Sequence, residues 1–223
     1  MAGEIYMVAT PIGNMEDITA RAIRILGETD YILSEDTRVS GELLKRFGIE
    51  KRIVRYDQHS FRNELLKAQI ATDLIAGKRL ALITDAGTPG VSDPGNELLS
   101  YLYNSIEDLK VTPIPGASAV SSAISVCGFD MSFYVFTGFV PKKKKTKFYK
   151  RLQEVNAPFV FFESPHRIKK TIEEMQTYFP EAQYLIAREV TKLHETIYRG
   201  TAQEILSKLP EVVKGEIVGI TCP

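Results

Sequence analysis

Short apolar runs alternate with amphipathic segments along the first half of the chain. "IYMVAT" and "YILSED" are rich in β-forming residues, whereas the apolar residues of "ITARAIRIL" fall on one stripe of a helix. The same alternation predicts strands over "RIVRYD" and 79–84, and helices over "GELLKRFG", 63–76 and "NELLSYLYNS". Strands separated by helices of this length are typical of a parallel sheet in an α/β domain.

The pattern changes near Pro115, where prolines and a glycine interrupt the chain in "PIPGASAVSSAISVCG". Beyond it we predict strands over "FYVFTGFV", "FVFFES", "YLIAREV", "TIYRGT" and "EIVGIT", with helices over "KFYKRLQEV", "IKKTIEEMQTYF" and "AQEILSKL". Two strands follow closely around Ala187 and Ile197, which predicts an antiparallel pair. We therefore expect two α/β domains: 1–115, with a parallel sheet flanked by helices, and 116–223, with a mixed sheet.

The composition is that of an ordinary globular protein. The chain has 223 residues, 44% of them hydrophobic, and its 28 basic and 28 acidic residues cancel. Any basic surface must therefore be local. Cys127 and Cys222 form no CxxC motif, so neither a disulfide framework nor a metal site is expected. No secretory signal and no run of ~18 apolar residues is present, and we expect a soluble cytoplasmic protein without a membrane partner.

The stretch "ALITDAGTPGVSDPG" (81–95) follows a predicted buried strand, and ligands of open α/β sheets gather at such carboxyl ends. Its three glycines permit a positive φ angle and a close approach of the backbone to a ligand. Asp93 and Pro94 are predicted as the N-cap and first residue of a helix. Asp85 has no comparable structural role, so its carboxylate is a candidate to bind a ribose or an amino group. The alternative is a turn that only reverses the chain.

The loop after the first strand, "VATPIGNMEDIT", has a similar character. It combines Pro11, Gly13 and Asn14, and Asp17 is the predicted N-cap of the next helix. We expect the two loops to converge on one crevice. Neither contains Lys or Arg, and neither matches a P-loop or G-x-G-x-x-G pattern, so a ligand held largely by backbone groups is favoured over a phosphate site.

The segment "PKKKKTKFYKR" concentrates positive charge, with aromatic residues between the basic ones. Such a run can bind RNA phosphates with an affinity that depends on salt, and the alternative is a solvated loop. The RNA-binding candidates are Lys142, Lys143, Lys144, Lys145 and Lys147.

Seven sequence blocks follow one another along the chain, from Val8 to Thr201. They are "VATPIGNMEDIT", "SEDTR", "ITDAGTPGVSDPG", "PIPGASA", "FTGF-P-KKK", "FFESPHR" and "AREVTKLHE" with "YRGT". Together they resemble the ribosomal small-subunit (16S) rRNA cytidine-2'-O-methyltransferase family, within the tetrapyrrole-methylase-like class of S-adenosylmethionine enzymes. The resemblance implies a homodimer of two-domain subunits, with the cofactor in a cleft between the domains and a cytidine ribose of the decoding region as acceptor.

The resemblance also implies a set of cofactor contacts. The wider class has Gly-Asp-Pro in its cofactor loop, whereas this chain has Gly87-Thr88-Pro89, so that aspartate contact is not transferred. The sequence ends at Pro223 without the further segment that many relatives carry, and we expect no RNA contact from such a segment. The implied cofactor contacts are Pro11, Asp85, Ala86, Gly87, Val91, Ser118, Ala119, Phe162, Ala187 and Gly215.

Methyl transfer to a ribose hydroxyl requires in-line positioning, and a base or a cation would assist it. Three predicted strand ends supply such groups, and Glu163 or Glu35 is the preferred base. The alternative is that these charges only pair with one another or with solvent, and that His166 and Arg167 lie in the first turn of a helix. The catalytic candidates are Glu35, Arg38, Glu163, His166, Arg167 and Lys192.

Other functions remain open to the sequence. One is a methyltransferase of the same fold that acts on a small molecule such as a tetrapyrrole precursor, and the lysine run disfavours it. Another is a non-catalytic RNA-binding assembly factor. Phosphoryl transfer is disfavoured because the lysine of a P-loop is missing.

Overall fold

The computed structural model describes residues 3–223 and divides into two compact units. One unit ends at Ser118 and the other spans Ala119–Pro223. Each has its own five-stranded sheet with helices against it, which confirms the predicted class of two α/β domains. Within the described residues, no helix is long and apolar enough to cross a membrane.

The first sheet is parallel throughout, as predicted, and has the strand order β3-β2-β4-β1-β5. Strand β1 pairs directly with both of its neighbours, Met7 with Leu82 of β4 and Val8 with Ile114 of β5. The carboxyl ends of the strands therefore meet at one edge of the sheet. The strands are β1 (Glu4–Val8), β2 (Tyr31–Ser34), β3 (Arg52–Arg55), β4 (Arg79–Ile83) and β5 (Lys110–Ile114).

Helices cover both faces of this sheet: α1 (Ala20–Glu28) and α2 (Thr37–Arg46) on one, α3 (Glu64–Ile75) and α4 (Asn96–Ser105) on the other. Successive strand residues alternate between the faces, and each face packs against one helix pair. Because both faces of the sheet are buried, the inner strands β1, β2 and β4 are almost continuously apolar, whereas the edge strand β3 has an arginine at each end. The strand residues against α3 and α4 are Ile5, Met7, Tyr31, Leu33, Leu80 and Leu82, and those against α1 and α2 are Tyr6, Val8, Ile32, Ala81, Ile83 and Ile114.

Two helix starts differ from the sequence prediction. The hydroxyl of Thr19, not the carboxylate of Asp17, caps α1 by accepting the N–H of Ala22 at 3.1 Å. The N-cap of α4 is Gly95, so the prediction of Asp93 as N-cap is also wrong. In both regions several polar residues precede the helix, and local sequence does not determine at which of them the helical hydrogen bonds begin.

The second sheet has the order β6-β7-β10-β8-β9. Strands β6 and β7 are parallel and the remaining pairs are antiparallel, which confirms the predicted mixed sheet. Ala187 pairs with Ile197 across the predicted antiparallel pair. The strands are β6 (Val135–Phe139), β7 (Phe159–Glu163), β8 (Gln183–Arg188), β9 (Thr196–Gly200) and β10 (Ile217–Cys222).

Four helices cover the second sheet. On one face lie α6 (Lys145–Val155), α7 (Ile168–Tyr178) and α8 (Ala202–Lys208), and their apolar residues form a cluster around Phe159 and Phe161. On the other face lies α5 (Ala119–Cys127), a helix rich in small residues. Its small side chains allow close packing against the central strands.

Gly219, in β10, lies directly across from the buried ring of Phe161 in β7, and a Cβ built at this glycine would overlap that ring. We expect Gly219→Ala to lower the free energy of unfolding by about 1–3 kcal/mol, because the ring would have to move within a filled core. Urea denaturation measures the change. Gly27→Ala in α1 is the control, because a Cβ there meets no atom within 4 Å and the helix gains up to about 1 kcal/mol.

Candidate active site at the carboxyl edge of the first sheet

The loops after β1 and β4 are joined by a reciprocal backbone pair. The N–H of Thr10 donates to the carbonyl of Gly87 at 2.9 Å, and the N–H of Gly87 donates to the carbonyl of Thr10 at 3.1 Å. The hydroxyl of Thr10 also donates to the carbonyl of Thr84 at 3.1 Å. The two loops therefore converge at the carboxyl edge of the sheet, as the sequence predicts.

The loop after β5 reaches the same place. The hydroxyl of Thr88 lies 3.4 Å from the carbonyl of Ala117, and a Cβ on Gly116 would come within 3.0 Å of the Cβ of Ala9. Thr88 occupies the position at which the wider class has its aspartate, and here its side chain contacts the neighbouring loop. The loops after β1, β4 and β5 thus meet at one place, which we call the cradle.

Gly87 lies in the middle of this cradle. Its φ angle is +80°, a left-handed conformation that side chains disfavour. A Cβ at this position would contact the side chain of Ile12 at 3.4 Å and lie 3.9 Å from the carbonyl of Ala117. A side chain at Gly87 would therefore strain the backbone and occupy space between the loops.

The carboxylate of Asp85 joins the β4 loop to the start of α2. It accepts the backbone N–H of Asp36 at 3.0 Å. The expectation that Asp85 has no structural role is therefore wrong, because it holds two adjacent loops together. One carboxylate oxygen makes this bond, and a carboxylate has further acceptor positions that a ligand can use.

Asp36 and Arg38 form a second local arrangement. Asp36 caps α2 by accepting the N–H of Arg38 at 2.9 Å, and the guanidinium of Arg38 binds both carboxylate oxygens at 3.1 and 2.6 Å. The side chain of Arg38 is nonetheless 88% exposed. The cation is therefore held in one place while it remains open to solvent.

Glu35 directly follows β2, where the charges of nearby carboxylates act on it. Partial burial raises its pKa above the usual range, and the negative charges of Asp85 and Asp57 raise it further. Burial also raises the pKa of Asp85, whereas the bonds to Arg38 hold the pKa of Asp36 well below its usual range. Environments that separate the pKa values of neighbouring carboxyls are typical of sites for proton transfer.

Glu163, the other proposed base, is enclosed in the second unit. Its side chain is fully buried, and its oxygens accept from the N–H of Ser164 and the hydroxyl of Thr171, each at 2.7 Å. The guanidinium of Arg167 lies 3.1 Å away. This carboxylate therefore has no exposed surface with which to reach a substrate, and Glu35 becomes the preferred candidate for the base.

His166 and Arg167 directly precede α7. The alternative prediction, which placed them in the first turn of a helix, is therefore nearly correct. Arg167 is the N-cap residue, and its guanidinium donates to the carbonyl of Val140 at 2.8 Å. It is therefore engaged with protein groups. His166 is exposed in the turn before the helix.

Lys192 joins the segment after β8 to the segment before β10. Its ammonium lies 3.0 Å from the carboxylate of Glu189 and 2.8 Å from that of Glu216. Burial alone would lower the pKa of Lys192, but these bonds raise it above its usual range. The ammonium of Lys192 is therefore held between two carboxylates.

The backbone at this junction is tightly constrained. Glu189 has a φ angle of +54°, and a Cβ on Gly215 would overlap its side chain. The N–H of Glu189 donates to the carbonyl of Glu216 at 2.9 Å, and the N–H of Glu216 donates to the carboxylate of Glu189 at 2.9 Å. The implied cofactor segment at Gly215 is therefore held in one conformation.

Three other implied cofactor residues of the second unit lie together. Phe162 and Ala187 both pair with Val218 across the sheet, on the face that packs against α5. Ala119, at the start of α5, packs against the same cluster. The fold thus brings Ala119, Phe162 and Ala187 into one apolar cluster, although they are far apart in sequence.

The lysine run divides into exposed and paired members. Lys142, Lys143, Lys144 and Lys147 are exposed, but the ammonium of Lys145 lies 2.5 Å from the carboxylate of Glu174 in α7. Lys145 is therefore paired within the protein, whereas the other four candidate lysines are exposed. The sequence offers no local sign of this pair, because Glu174 lies 29 residues further along the chain.

The family model described as Tetrapyrrole (Corrin/Porphyrin) Methylases matches residues 4–206. Proteins named Ribosomal RNA small subunit methyltransferase I are 41% identical in Halalkalibacterium halodurans and 39% identical in Thermotoga maritima. The alignments cover 96% and 92% of this chain, and 74% and 91% of the relatives. The chain belongs to the ribosomal RNA small subunit methyltransferase I family. This confirms the resemblance found in the sequence blocks, and the protein is a methyltransferase.

Solved structures share the fold of this small subunit methyltransferase I family member at much lower sequence identity. A diphthine synthase has a TM-score of 0.71 at 14% identity and covers 99% of this chain and 90% of its own. A uroporphyrin III C-methyltransferase from Thermus thermophilus has a TM-score of 0.66 at 17% identity and covers 98% of this chain and 97% of its own. These likenesses support the two-domain α/β fold.

The loops of this family member fit a methyl donor that carries a positive charge and no phosphate. The carboxylate of Asp85 lies beside the cradle, and the β1 and β4 loops contain no Lys or Arg. Among residues 3–223, no group of three or more His, Cys, Asp or Glu could hold a metal ion.

Thr10 and Glu174 contribute to the two candidate sites but were not singled out in the sequence. Thr10 joins two loops through its backbone and hydroxyl, and Glu174 holds Lys145. The signal for Thr10 in the sequence is its position at the end of a predicted strand, directly before Pro11. Glu174 gave no signal, because its partner is distant in sequence.

Proposed function

We propose that this protein transfers the methyl group of S-adenosylmethionine to the 2'-hydroxyl of a cytidine ribose in the decoding region of 16S rRNA. The observation that carries the proposal is 39–41% identity, over 92–100% of the chain, to proteins named Ribosomal RNA small subunit methyltransferase I. The cytidine and the ribose hydroxyl come from the family resemblance of the seven sequence blocks. The same resemblance supports a homodimer.

The methyl donor supplies a sulfonium that activates its own methyl group, so the chain's task is to bind and orient both reactants. In the first unit, the cradle of three loops supports binding through backbone groups. In the second unit, the apolar cluster under α5 and the constrained backbone at Gly215 support the implied contacts. The assigned residues are Pro11, Asp85, Ala86, Gly87, Val91 and Ser118 in the first unit, and Ala119, Phe162, Ala187 and Gly215 in the second.

We assign the base to Glu35. Its raised pKa brings the carboxylate closer to the basicity that proton removal from a ribose hydroxyl requires at neutral pH. The exposed and well-held guanidinium of Arg38 stabilises the developing negative charge on that oxygen. Lys192 and His166 remain candidates for the acceptor site. Lys192 is a cation fixed by two carboxylates, and His166 is an exposed polar group shortly after the end of β7.

We assign RNA binding to the four exposed lysines of the run, Lys142, Lys143, Lys144 and Lys147. Their charges are concentrated in a chain with no net charge, so they offer a local attraction for RNA phosphates. Lys145 is excluded from this set because Glu174 neutralises it.

The decisive experiment is mass spectrometry of 16S rRNA from cells with and without the gene. We expect one ribose-methylated cytidine to be absent without the gene and to return when small subunits are incubated with the purified protein and S-adenosylmethionine. Methylation of a tetrapyrrole precursor instead of RNA would favour the small-molecule function. RNA binding without any binding of S-adenosylmethionine, measured by calorimetry, would favour the assembly factor.

Gly87→Ala tests the cradle. We expect the affinity for S-adenosylmethionine to fall by about 10-fold or more, because the added methyl group strains the backbone at a positive φ angle and enters the space between the loops. Calorimetric titration measures the change. Gly48→Ala is the matched control, since Gly48 also has a positive φ angle, +65°, but a Cβ there meets no atom within 4 Å. Equal loss of affinity in both variants would show that Gly87 has no specific role in binding.

A further inference from the structure

The lysine loop, defined as residues 142–147, is held at its helical end by an ion pair. The ammonium of Lys145 lies 2.5 Å from the carboxylate of Glu174, and the two side chains are only 22% and 27% exposed. The hydroxyl of Tyr149 donates to the same carboxylate at 3.3 Å. Partial burial shields this pair from solvent, so it is stronger than a fully exposed pair.

The other end of the loop is held by Arg167. One guanidinium nitrogen donates to the carbonyl of Val140 at 2.8 Å and lies 3.4 Å from that of Pro141. The same nitrogen lies 3.1 Å from the buried carboxylate of Glu163. Glu163 thus fixes the arginine, and the arginine fixes the backbone that enters the lysine loop.

These two attachments hold the loop from both sides while its free cations face solvent. Lys142, Lys143 and Lys144 are exposed between them, and Lys144 has a left-handed φ angle of +58°. Adjacent like charges repel one another, so an unattached loop of this composition would sample many conformations. A loop that is already ordered loses less conformational entropy when it binds a partner.

We propose that Glu174 and the Glu163–Arg167 pair are positioning residues that hold the lysine loop in its RNA-binding conformation. This inference rests on the proposed RNA substrate. It assigns to Glu163 and Arg167 a role away from the reacting atoms, and it gives a function to Glu174, which belongs to none of the sequence motifs.

Removal of the Glu174 charge is expected to change RNA binding in the direction opposite to that of electrostatic attraction alone. Glu174→Gln removes a negative charge beside the lysine loop, so electrostatic attraction alone would tighten RNA binding. If Glu174 positions the loop, its loss instead weakens binding, because Lys145 is released. Glutamine keeps the size of the side chain and an acceptor for Tyr149, so the helix is expected to remain folded.

The experiment compares Glu174→Gln with Glu173→Gln, which removes the same charge from an exposed position one residue earlier in α7. The probe is the small ribosomal subunit from cells that lack the methyltransferase. For Glu174→Gln we expect the Kd and the KM for the subunit to rise by about 5- to 10-fold, with kcat and the affinity for S-adenosylmethionine unchanged. Amide hydrogen exchange of residues 142–147 is expected to become faster. For Glu173→Gln we expect equal or tighter binding and unchanged exchange.

Glu163→Gln tests the second attachment in the same way, with Thr171→Val as a packing control that removes only the hydroxyl bond to Glu163. If Glu163→Gln fails to fold, Glu174→Gln still decides the matter. Equal or tighter subunit binding by Glu174→Gln, or unchanged hydrogen exchange in the loop, would overturn the positioning role. Failure of the unaltered protein to bind or methylate the subunit would instead reject the proposed function, and the exchange measurement would still report whether the loop is anchored.

Discussion

Glu35→Gln is expected to lower kcat for ribose methylation by about 10²- to 10⁴-fold, the usual contribution of a positioned general base. Glutamine keeps the size of the side chain but cannot accept the proton of the ribose hydroxyl. Because Glu35 is assigned to proton transfer and not to binding, the affinities for S-adenosylmethionine and for the subunit should change little. Single-turnover methylation of small subunits, with calorimetry for the donor, separates these effects.

The pH dependence provides a second measurement on Glu35. A general base works in its ionised form, so kcat should rise with pH until the Glu35 carboxyl has lost its proton. Because burial and the neighbouring carboxylates raise its pKa, this plateau is reached at a higher pH than for an ordinary glutamate. The rise should be absent in Glu35→Gln. A rise of the same shape in that variant would assign the titration to another group.

Stability should change in the opposite direction from activity. A carboxyl with a raised pKa binds its proton more tightly in the folded protein than in the unfolded chain, so the free energy of unfolding falls as pH rises through that range. Glutamine does not ionise, so Glu35→Gln removes this decrease in the free energy of unfolding. At pH 7 we expect the free energy of unfolding of the variant to be higher by a few tenths of a kcal/mol, the scale of a single charge interaction.

Glu42→Gln, at an exposed position in α2, controls for the loss of one charge and should change neither kcat nor its pH profile. Reduced stability in Glu35→Gln would mean that the loss of activity arises from unfolding.

The second large effect is expected from the lysine loop. Replacing Lys142, Lys143, Lys144 and Lys147 together with glutamine should weaken binding of the small subunit by about 10²-fold at physiological salt. It should also reduce the slope of log K against log salt concentration by up to about four, because each lysine that contacts a phosphate releases about one counterion. Binding measured between 50 and 200 mM salt gives both quantities.

Arginine at the same four positions is the matched control, because it keeps every charge. We expect the salt dependence to be restored, while the affinity for S-adenosylmethionine is unchanged in both variants. If the glutamine variant keeps the original salt dependence, the phosphate contacts lie elsewhere and the lysine run is the solvated loop that the sequence left as an alternative.

The architecture could be predicted because each strand and helix has its own apolar period. The inner strands of the first sheet are almost continuously apolar, since α1 and α2 cover one face of the sheet and α3 and α4 cover the other. The helix caps could not be predicted as well. Thr19 and Asp17 are both good N-cap residues, and the difference between them depends on where the chain leaves the sheet, which is a property of the whole unit.

In the candidate site, too, some features could be predicted from the sequence and others could not. Glu35 and Glu163 are both carboxylates at predicted strand ends, and nothing in their local sequences separates them. The fold does: Glu163 is surrounded by Arg167, Thr171 and a backbone N–H, whereas Glu35 lies beside Asp85. A carboxylate with full hydrogen bonding and no exposed surface organises structure, and one with a raised pKa at a loop edge is suited to proton transfer.

By itself, the sequence determined the two α/β domains, the family and the loops that surround the candidate site, because these follow from local periodicity and from ordered motifs. Only the tertiary structure decided which charged residues are free to act. It assigned Asp85 to hold α2, Glu163 to hold Arg167, and Glu174 to hold Lys145. The physical reason is that an ion pair or hydrogen bond depends on distance in space, and these partners lie 49, 4 and 29 residues apart along the chain.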